Sequence, residues 1–483
     1  MSETPRRAPA PRLTVLVGLA LVVSLAFAFP PWPDDWDGLG FLASITHFDL
    51  ASFAPHPPGY PVYVALLKLA ATVTTSPIGA ARVVGVACGL VTFAALCIRS
   101  LSLPREALMA AAVCAAPLVF HAFSGVGSEA PALACVAVAG VGLLSPRPAR
   151  SPRVRALLVG LGVGLGLGVR LSWAPFYLPL LVLLPRRLRL RGLVVAALAC
   201  LAWAIPLIIV TGPAKLEALA RAHLTGHMSV WGGTAITEPT RVRFLARDLF
   251  VDGFGVGADP LGFGIAIVLA WATVASLSLW VSRTTPGERL ASAARAALLT
   301  LPYLAWVTFG QNLRQQPRHV LPLVLVAAWA LACAARAAFA GPSPRSLRIA
   351  LPLLAALLVT RTAIDATARR AIPPAGAQVL AYVREHADVA MSVLFTGASG
   401  RFLDGTEWQP RTHPAGTLSD AWLALTHEHA VPGVVLVTSE VTGIDESSVP
   451  HTEVGTFCRP ARLDRRMPCL HLYAFAGRDA LSH

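Results

Sequence analysis

The chain has 483 residues, of which 55% are hydrophobic and only 14% are charged, and its mean hydropathy is +0.62. Soluble domains carry about 25% charged residues, so this composition excludes a soluble globular protein and predicts a polytopic membrane protein. The net charge of +14 does not indicate nucleic-acid binding, because most of the basic residues are arginines in short loops between apolar segments.

Eleven apolar segments have about the 15 to 22 residues that are needed to cross the hydrocarbon core of a bilayer. The predicted spans are residues 13–29, 78–98, 106–124, 126–144, 155–170, 171–185, 192–211, 259–281, 294–309, 319–340 and 347–362. A glycine-rich stretch at 160–168 predicts close packing of its helix against neighbours.

A twelfth apolar run, residues 58–75, decides the topology. If it does not cross, arginine clusters near residues 6–12, 99–105, 147–155, 186–191, 283–295 and 336–348 all lie on one side of the membrane. If it did cross, most of these arginines would face outward, against the positive-inside rule. We therefore predict that 58–75 is a juxtamembrane helix on the outer face and that the N-terminus is cytoplasmic.

This topology predicts a transmembrane domain over residues 1–362, with an outer loop at 30–77, and an extracytoplasmic domain over 363–483. The tail has the pattern of a small α/β domain, with helices near 375–387 and 419–429 and apolar strands at 391–397, 433–439 and 470–477. Cys458 and Cys469 lie in this tail and could form a disulfide, because the compartment is oxidising.

Three aspartates follow the first span, within the stretch WPDDWDGLGF. Trp32, Trp36 and Phe41 would hold this loop against the membrane surface, where partial desolvation raises the pKa of a carboxyl group towards that of a useful general base. A solvated loop with incidental acidic residues is the alternative.

The segments DWDGLGF, APHPPGYPVYVALLK, ARVVG and GSEAPALA, taken in this order along the chain, resemble the GT-C superfamily of polyprenyl-phosphate-sugar glycosyltransferases. The resemblance is strongest to the branch that is similar to protein O-mannosyltransferases and lipid A aminoarabinose transferases, and it covers about residues 13–185. One departure is Gly40, which stands where the related pattern often has a second acidic residue.

The resemblance implies an inverting transfer of a sugar from a polyprenyl-phosphate donor to an acceptor hydroxyl of a protein, lipid or glycan on the outer face. Asp37 matches the position of the general base, Asp35 is the second candidate, and Asp34 is expected to be dispensable. A phosphate leaving group needs no general acid but requires cations.

Outward-facing cations are present in the sequence. Arg314, Arg318 and His319 lie at the outer ends of two predicted spans, and Arg170 lies at the tip of a predicted hairpin. The planar guanidinium group suits phosphate, although anchoring to lipid headgroups is the alternative role for these arginines.

Three further residues have two possible roles each. Glu129 could belong to the site or stabilise the start of its helix. His56 could contact the donor or cap the juxtamembrane helix. Trp231 could line the acceptor groove or anchor the chain at the membrane interface.

No metal-binding or cofactor motif is visible, so we predict no cofactor, and a divalent metal ion is left open. Two other functions compete with glycosyl transfer: a transporter or flippase of lipid-linked sugars, and a non-catalytic membrane scaffold. The transporter reading is opposed by charges that concentrate at one face, away from the middle of the spans.

Overall fold

A computed structural model describes residues 10–98, 104–144, 151–226, 234–311, 316–340, 343–386, 392–396, 412–415, 433–438, 451–464 and 468–476. The chain forms two compact units. One contains the residues up to Pro30 together with Gly40–Thr367, and the other contains Pro31–Leu39 together with the residues from Ala368 onward. The predicted domain boundary after residue 362 lies inside a helix that ends at Ala371.

Seventeen α-helices are described. They are α1 Ala10–Ala28, α2 Trp36–Ala43, α3 Pro61–Ala71, α4 Pro77–Ile98, α5 Pro104–Cys114, α6 Pro117–Phe123, α7 Glu129–Leu144, α8 Pro152–Val169, α9 Ala174–Val182, α10 Arg186–Thr211, α11 Pro213–Thr225, α12 Val242–Arg247, α13 Pro260–Arg283, α14 Pro286–Gly310, α15 Leu321–Ala340, α16 Arg345–Ala371 and α17 Ala375–His386.

Each predicted span overlaps a described helix or two consecutive ones, although α9, in the predicted span 171–185, has only nine residues. Within the described residues, seven helical segments are long and apolar enough to cross a membrane, so the chain is an integral membrane protein. The predicted span 106–124 is divided into α5 and α6, because Pro117 cannot continue the preceding helix. The total number of crossings stays a prediction.

The apolar run at 58–75 forms only the 11-residue helix α3. At about 1.5 Å per residue this helix is about 16 Å long, roughly half the thickness of the hydrocarbon core. Its length therefore agrees with the prediction that it does not cross.

Contacts between helix ends are compatible with helices that cross the membrane in alternating directions. Arg283, at the end of α13, donates to the Ala337 carbonyl oxygen over 2.7 Å. At the opposite end of α13, Asp259 accepts from Arg361 over 2.9 Å. Each contact joins ends that are assigned to the same side of the membrane, and which side is outside stays a prediction.

The glycine-rich part of α8 packs closely against two helices, as predicted. A Cβ atom on Gly164 would lie 2.5 Å from the Ala196 carbonyl oxygen on α10, and one on Gly162 would lie 2.6 Å from the Cys135 carbonyl oxygen on α7. Only glycine permits this approach, which fixes α8 between α7 and α10.

The second unit contains a five-stranded sheet. Its strands are β1 Ser392–Thr396, β2 Thr412–Ala415, β3 Gly433–Thr438, β4 His451–Cys458 and β5 Cys469–Ala476. Their order is β2-β1-β3-β5-β4, with β1 parallel to β2 and β3, and with β5 antiparallel to β3 and β4.

The predicted helix near 375–387 and the three predicted strands are confirmed as α17, β1, β3 and β5. Strands β2 and β4 were not predicted, because THPA is short and contains proline and HTEVGTFC is largely polar. The helix predicted near 419–429 lies outside the described residues. Cys458 and Cys469 form the predicted disulfide.

Candidate functional site

A buried ion pair lies where the start of α7 meets the end of α8. Arg170 Nη1 donates to Glu129 Oε1 over 2.6 Å and to Ser128 Oγ over 2.9 Å. The side chains of Arg170 and Glu129 are only 4% and 9% exposed. Glu129 is thus the counter-ion of a cation that the sequence assigns to phosphate binding.

Arg318 joins this pair from a third part of the chain. Its Nε lies 3.6 Å from Glu129 Oε1, and its side chain is 20% exposed. Arg318 belongs to a short 3-10 helix, Pro317–Val320, which leads into α15. Two arginines and one glutamate therefore form a cluster with a formal charge of +1, which we call the Arg-Glu cluster (Glu129, Arg170 and Arg318).

His319 follows Arg318 and is buried. Its carbonyl oxygen accepts a hydrogen bond of 2.8 Å from the Tyr303 hydroxyl group on α14. This bond connects α14 to the backbone next to Arg318, and no sequence pattern pointed to Tyr303.

Aromatic rings support Arg170. Its guanidinium carbon lies 5.8 Å from the centre of the Trp173 ring, and the Trp173 ring lies 6.4 Å from that of Tyr303. The Nε atom of Arg170 is buried and has no hydrogen-bond partner among the described residues. A buried donor without an acceptor is costly, and a bound anion would satisfy it.

His56 lies in an aromatic cluster in front of α3. Its Nε2 is 2.8 Å from the Tyr60 hydroxyl group, and its ring packs against those of Phe41 and Tyr60. Phe41 also packs edge-on against Tyr63. The pKa of the Tyr63 phenol is raised, first by burial and also by the charge of Glu129. Tyr63 therefore lies near the aromatic rings that surround His56 and also near the Arg-Glu cluster.

The acidic loop contains two candidate bases in different environments. Asp35 Oδ1 accepts from the Gly38 N–H over 2.9 Å, so its side chain stabilises the start of α2 in the manner of a helix cap. Asp37 lies in the first turn of α2 and is buried. Since Asp35 has this structural task, Asp37 stays the first candidate for the base.

Gly40 explains the departure from the family pattern. A Cβ atom at this position would lie 2.4 Å from the Phe53 carbonyl oxygen. Helix α2 and the loop that contains Phe53 approach each other too closely for any side chain here, so an acidic residue at position 40 is excluded by this packing.

The expectation that Asp34 is dispensable for turnover stays a prediction, and the structure gives Asp34 a contact within the fold. Asp34 Oδ1 accepts from Arg459 Nη1 over 2.6 Å, and Asp34 Oδ2 lies 3.5 Å from Arg369 Nη1. The Arg459 side chain is fully buried, so the negative charge of Asp34 compensates a buried positive charge.

Two predicted site residues, Arg314 and Trp231, lie outside the described residues, and their roles stay predictions.

Another arginine, Arg82 on α4, was not among the predicted site residues. Its guanidinium carbon is 5.8 Å from the centre of the Phe29 ring. Among the described residues, no group of three histidine, cysteine or acidic side chains could hold a metal ion, and metal independence stays an expectation.

No protein-family model matches the chain, and no curated protein matches its sequence. Several solved structures are similar in fold, and two of them are of one protein. The crystal structure of ArnT from Cupriavidus metallidurans bound to undecaprenyl phosphate has a TM-score of 0.55 and 15% identity, over 96% of this chain and 97% of that chain. The apo structure of the same protein gives a TM-score of 0.55 and 14% identity over the same shares of both chains.

The cryo-EM structure of the arabinofuranosyltransferase AftD from Mycobacteria is less similar. It has a TM-score of 0.44 and 14% identity, over 98% of this chain and 42% of that chain. The match to ArnT extends over nearly the full length of both chains, and ArnT has the GT-C fold. The chain therefore has the same overall fold as ArnT.

Proposed function

We propose that this protein is an integral membrane glycosyltransferase that moves a sugar from a polyprenyl-phosphate donor to an acceptor hydroxyl group at the outer face of the cell membrane. The observation that carries the proposal is the Arg-Glu cluster, in which two predicted phosphate-binding arginines meet at one buried carboxylate. The ArnT structure of the same fold is described as bound to undecaprenyl phosphate, which supports a polyprenyl phosphate as the lipid of the donor.

The cluster suits a phosphate that is attached to a sugar. Glu129 holds Arg170 in place before the donor binds, so the donor need not order a long flexible side chain. The unbonded Nε of Arg170 is a ready donor for a phosphate oxygen, and Arg318 supplies a second guanidinium group. As the bond between the anomeric carbon and the phosphate oxygen breaks, both cations stabilise the charge that develops on the leaving group.

The acceptor hydroxyl group needs a base, because it must lose its proton as it attacks. We assign this role to Asp37, with Asp35 as the second candidate. One base and one displaced phosphate permit a single in-line step, which inverts the anomeric centre and requires no covalent sugar-enzyme intermediate.

Reconstitution separates this function from transport. The purified protein in proteoliposomes, supplied with membranes as the source of acceptor and with a labelled polyprenyl-phosphate sugar, should release polyprenyl phosphate and transfer the label to a product. Movement of intact donor across the bilayer without its consumption would instead identify a transporter or flippase.

The variant Asp37→Asn should lower turnover about 100-fold or more while donor binding is nearly unchanged, because a general base acts in the transition state. Asp49→Asn is a matched control, since Asp49 lies in the same outer loop and pairs with Lys215 at the surface. Normal turnover of Asp37→Asn with loss in Asp35→Asn would move the base to Asp35. Normal turnover of both would contradict the proposed mechanism.

A further inference from the structure

Within the second unit, which we also call the C-terminal unit, a buried arginine holds the segment that contains the aspartates. Arg459 Nη1 donates to Asp34 Oδ1 over 2.6 Å, and Arg459 Nη2 donates to the Arg369 carbonyl oxygen over 3.1 Å. The Arg459 side chain is 0% exposed and the Asp34 side chain is 18% exposed. Residues that are 425 positions apart in the chain are thus joined by an ion pair that is largely excluded from water.

Three contacts fix the backbone that carries Arg459. The preceding residue, Cys458, is bonded to Cys469. The Arg459 N–H donates to the Pro468 carbonyl oxygen over 2.7 Å. On α17, Gln378 Nε2 donates to the Cys458 carbonyl oxygen over 3.1 Å. The guanidinium group therefore projects from a part of the sheet that is fixed on several sides.

Asp34 is followed directly by Asp35, which caps α2, and α2 begins one residue later and contains Asp37. Immobilising Asp34 consequently limits where α2 can begin and where both candidate bases can lie. A displacement of about 1 Å at a catalytic group is enough to slow a reaction substantially.

We propose that Arg459 is a positioning residue: it anchors Asp34 to the C-terminal unit and thereby holds the Asp35–Asp37 segment in its reactive placement. This inference rests on the proposed function for its catalytic consequence, whereas the anchor itself can be tested without any substrate. It assigns to the C-terminal unit a part in catalysis that requires no contact with donor or acceptor.

The test compares hydrogen exchange of a peptide that covers residues 31–39 in the wild-type protein and in three full-length variants. Arg459→Met should raise amide exchange in this peptide about 10-fold or more, because the local structure opens more often. This variant also removes the closer of the two cations beside the partly buried Asp34, leaving Arg369 at 3.5 Å, so it could unfold. The double variant Asp34→Asn/Arg459→Met removes both charges, and its melting temperature should return towards that of the wild type.

The double variant should still show the raised exchange, and its turnover of a labelled polyprenyl-phosphate sugar should fall about 10-fold with an unchanged KM for the donor. Arg459→Lys keeps the charge but loses the two-pronged contact, so it should recover part of the turnover. A residue with only a structural role would not, in a folded protein, raise exchange at residues 31–39 and lower turnover while the KM for the donor stays unchanged.

Unchanged exchange at residues 31–39 in the folded double variant would overturn the anchor. Raised exchange with normal turnover would overturn the positioning role. No transfer by the wild-type protein with any donor would contradict the proposed function, and the exchange comparison would then decide the anchor alone.

Discussion

Replacing Glu129 by Gln tests the Arg-Glu cluster directly. The carboxylate is 9% exposed and lies 2.6 Å from Arg170 and 3.6 Å from Arg318. Removing one partner of a buried ion pair costs about 3–5 kcal/mol, because the remaining charge is left in a poorly solvated site. The amide oxygen of Gln still accepts a hydrogen bond worth about 1 kcal/mol. We therefore expect a loss of about 2–4 kcal/mol in the free energy of unfolding.

The assay is the equilibrium unfolding of the purified protein in detergent micelles. Glu217→Gln is a matched control, because Glu217 lies 2.6 Å from Arg221 while these side chains are 63% and 78% exposed. An exposed pair of this kind contributes only about 0.3–0.5 kcal/mol. The two variants make the same chemical change at the same distance, so the difference between their losses measures the effect of burial.

A loss for Glu129→Gln no larger than that of the control would refute the reasoning. A double-mutant cycle with Arg170→Met provides a second test. The double variant has no uncompensated Arg170 charge, so it should be more stable than the sum of the single losses by about 1–3 kcal/mol. Additive losses would show that Glu129 and Arg170 do not interact.

Three further outcomes are expected. Arg318→Ala should slow turnover of the donor far more than it lowers the melting temperature. Arg318→Lys should restore only part of that turnover, because a planar two-pronged contact is lost. Normal turnover in both variants would indicate that Arg318 anchors the chain to lipid headgroups. Replacing Cys458 and Cys469 by Ser should destabilise the C-terminal unit by about 2–3 kcal/mol in a denaturant titration, and a thiol assay that finds both cysteines free in the wild type would contradict this. The pKa of Asp49 is lowered by the backbone N–H of Ala51 and by Lys215. The ionised Asp49 carboxylate therefore stabilises the folded protein at neutral pH, and this contribution is lost as the pH falls through the lowered pKa. The melting temperatures of the wild type and of Asp49→Asn should consequently converge in acid.

Much of the transmembrane fold could be predicted because hydrocarbon imposes a length and a composition on any helix that crosses it. The arginine distribution also predicted that the apolar run at 58–75 does not cross, and the short length of α3 is compatible with this prediction. The break at Pro117 was missed, because a proline is tolerated in many membrane helices and its effect depends on neighbouring packing. The sheet was predicted only in part, since β4 has few apolar residues to mark it.

The members of the candidate site could be predicted one by one, but their mutual contacts could not. Arg170, Arg318 and Glu129 each stood out as charged residues at the ends of apolar segments, where a charge requires a reason. Periodicity and spacing describe only residues that are close in the chain. Glu129 and Arg170 are 41 positions apart, and Tyr303 is an ordinary aromatic residue until its hydroxyl group is seen to bind the His319 carbonyl oxygen.

The acidic loop shows where sequence reasoning stops. Asp34, Asp35 and Asp37 have the same side chain within four positions, so composition and local pattern cannot separate their roles. Their partners do so: Asp34 compensates the buried Arg459, and Asp35 caps α2. Asp37 is buried in the first turn of α2, and its assignment as the general base stays a prediction. The roles of Asp34 and Asp35 in the fold therefore depend on partners that the local pattern does not show, and the variants Asp37→Asn and Asp35→Asn decide which carboxylate is the base.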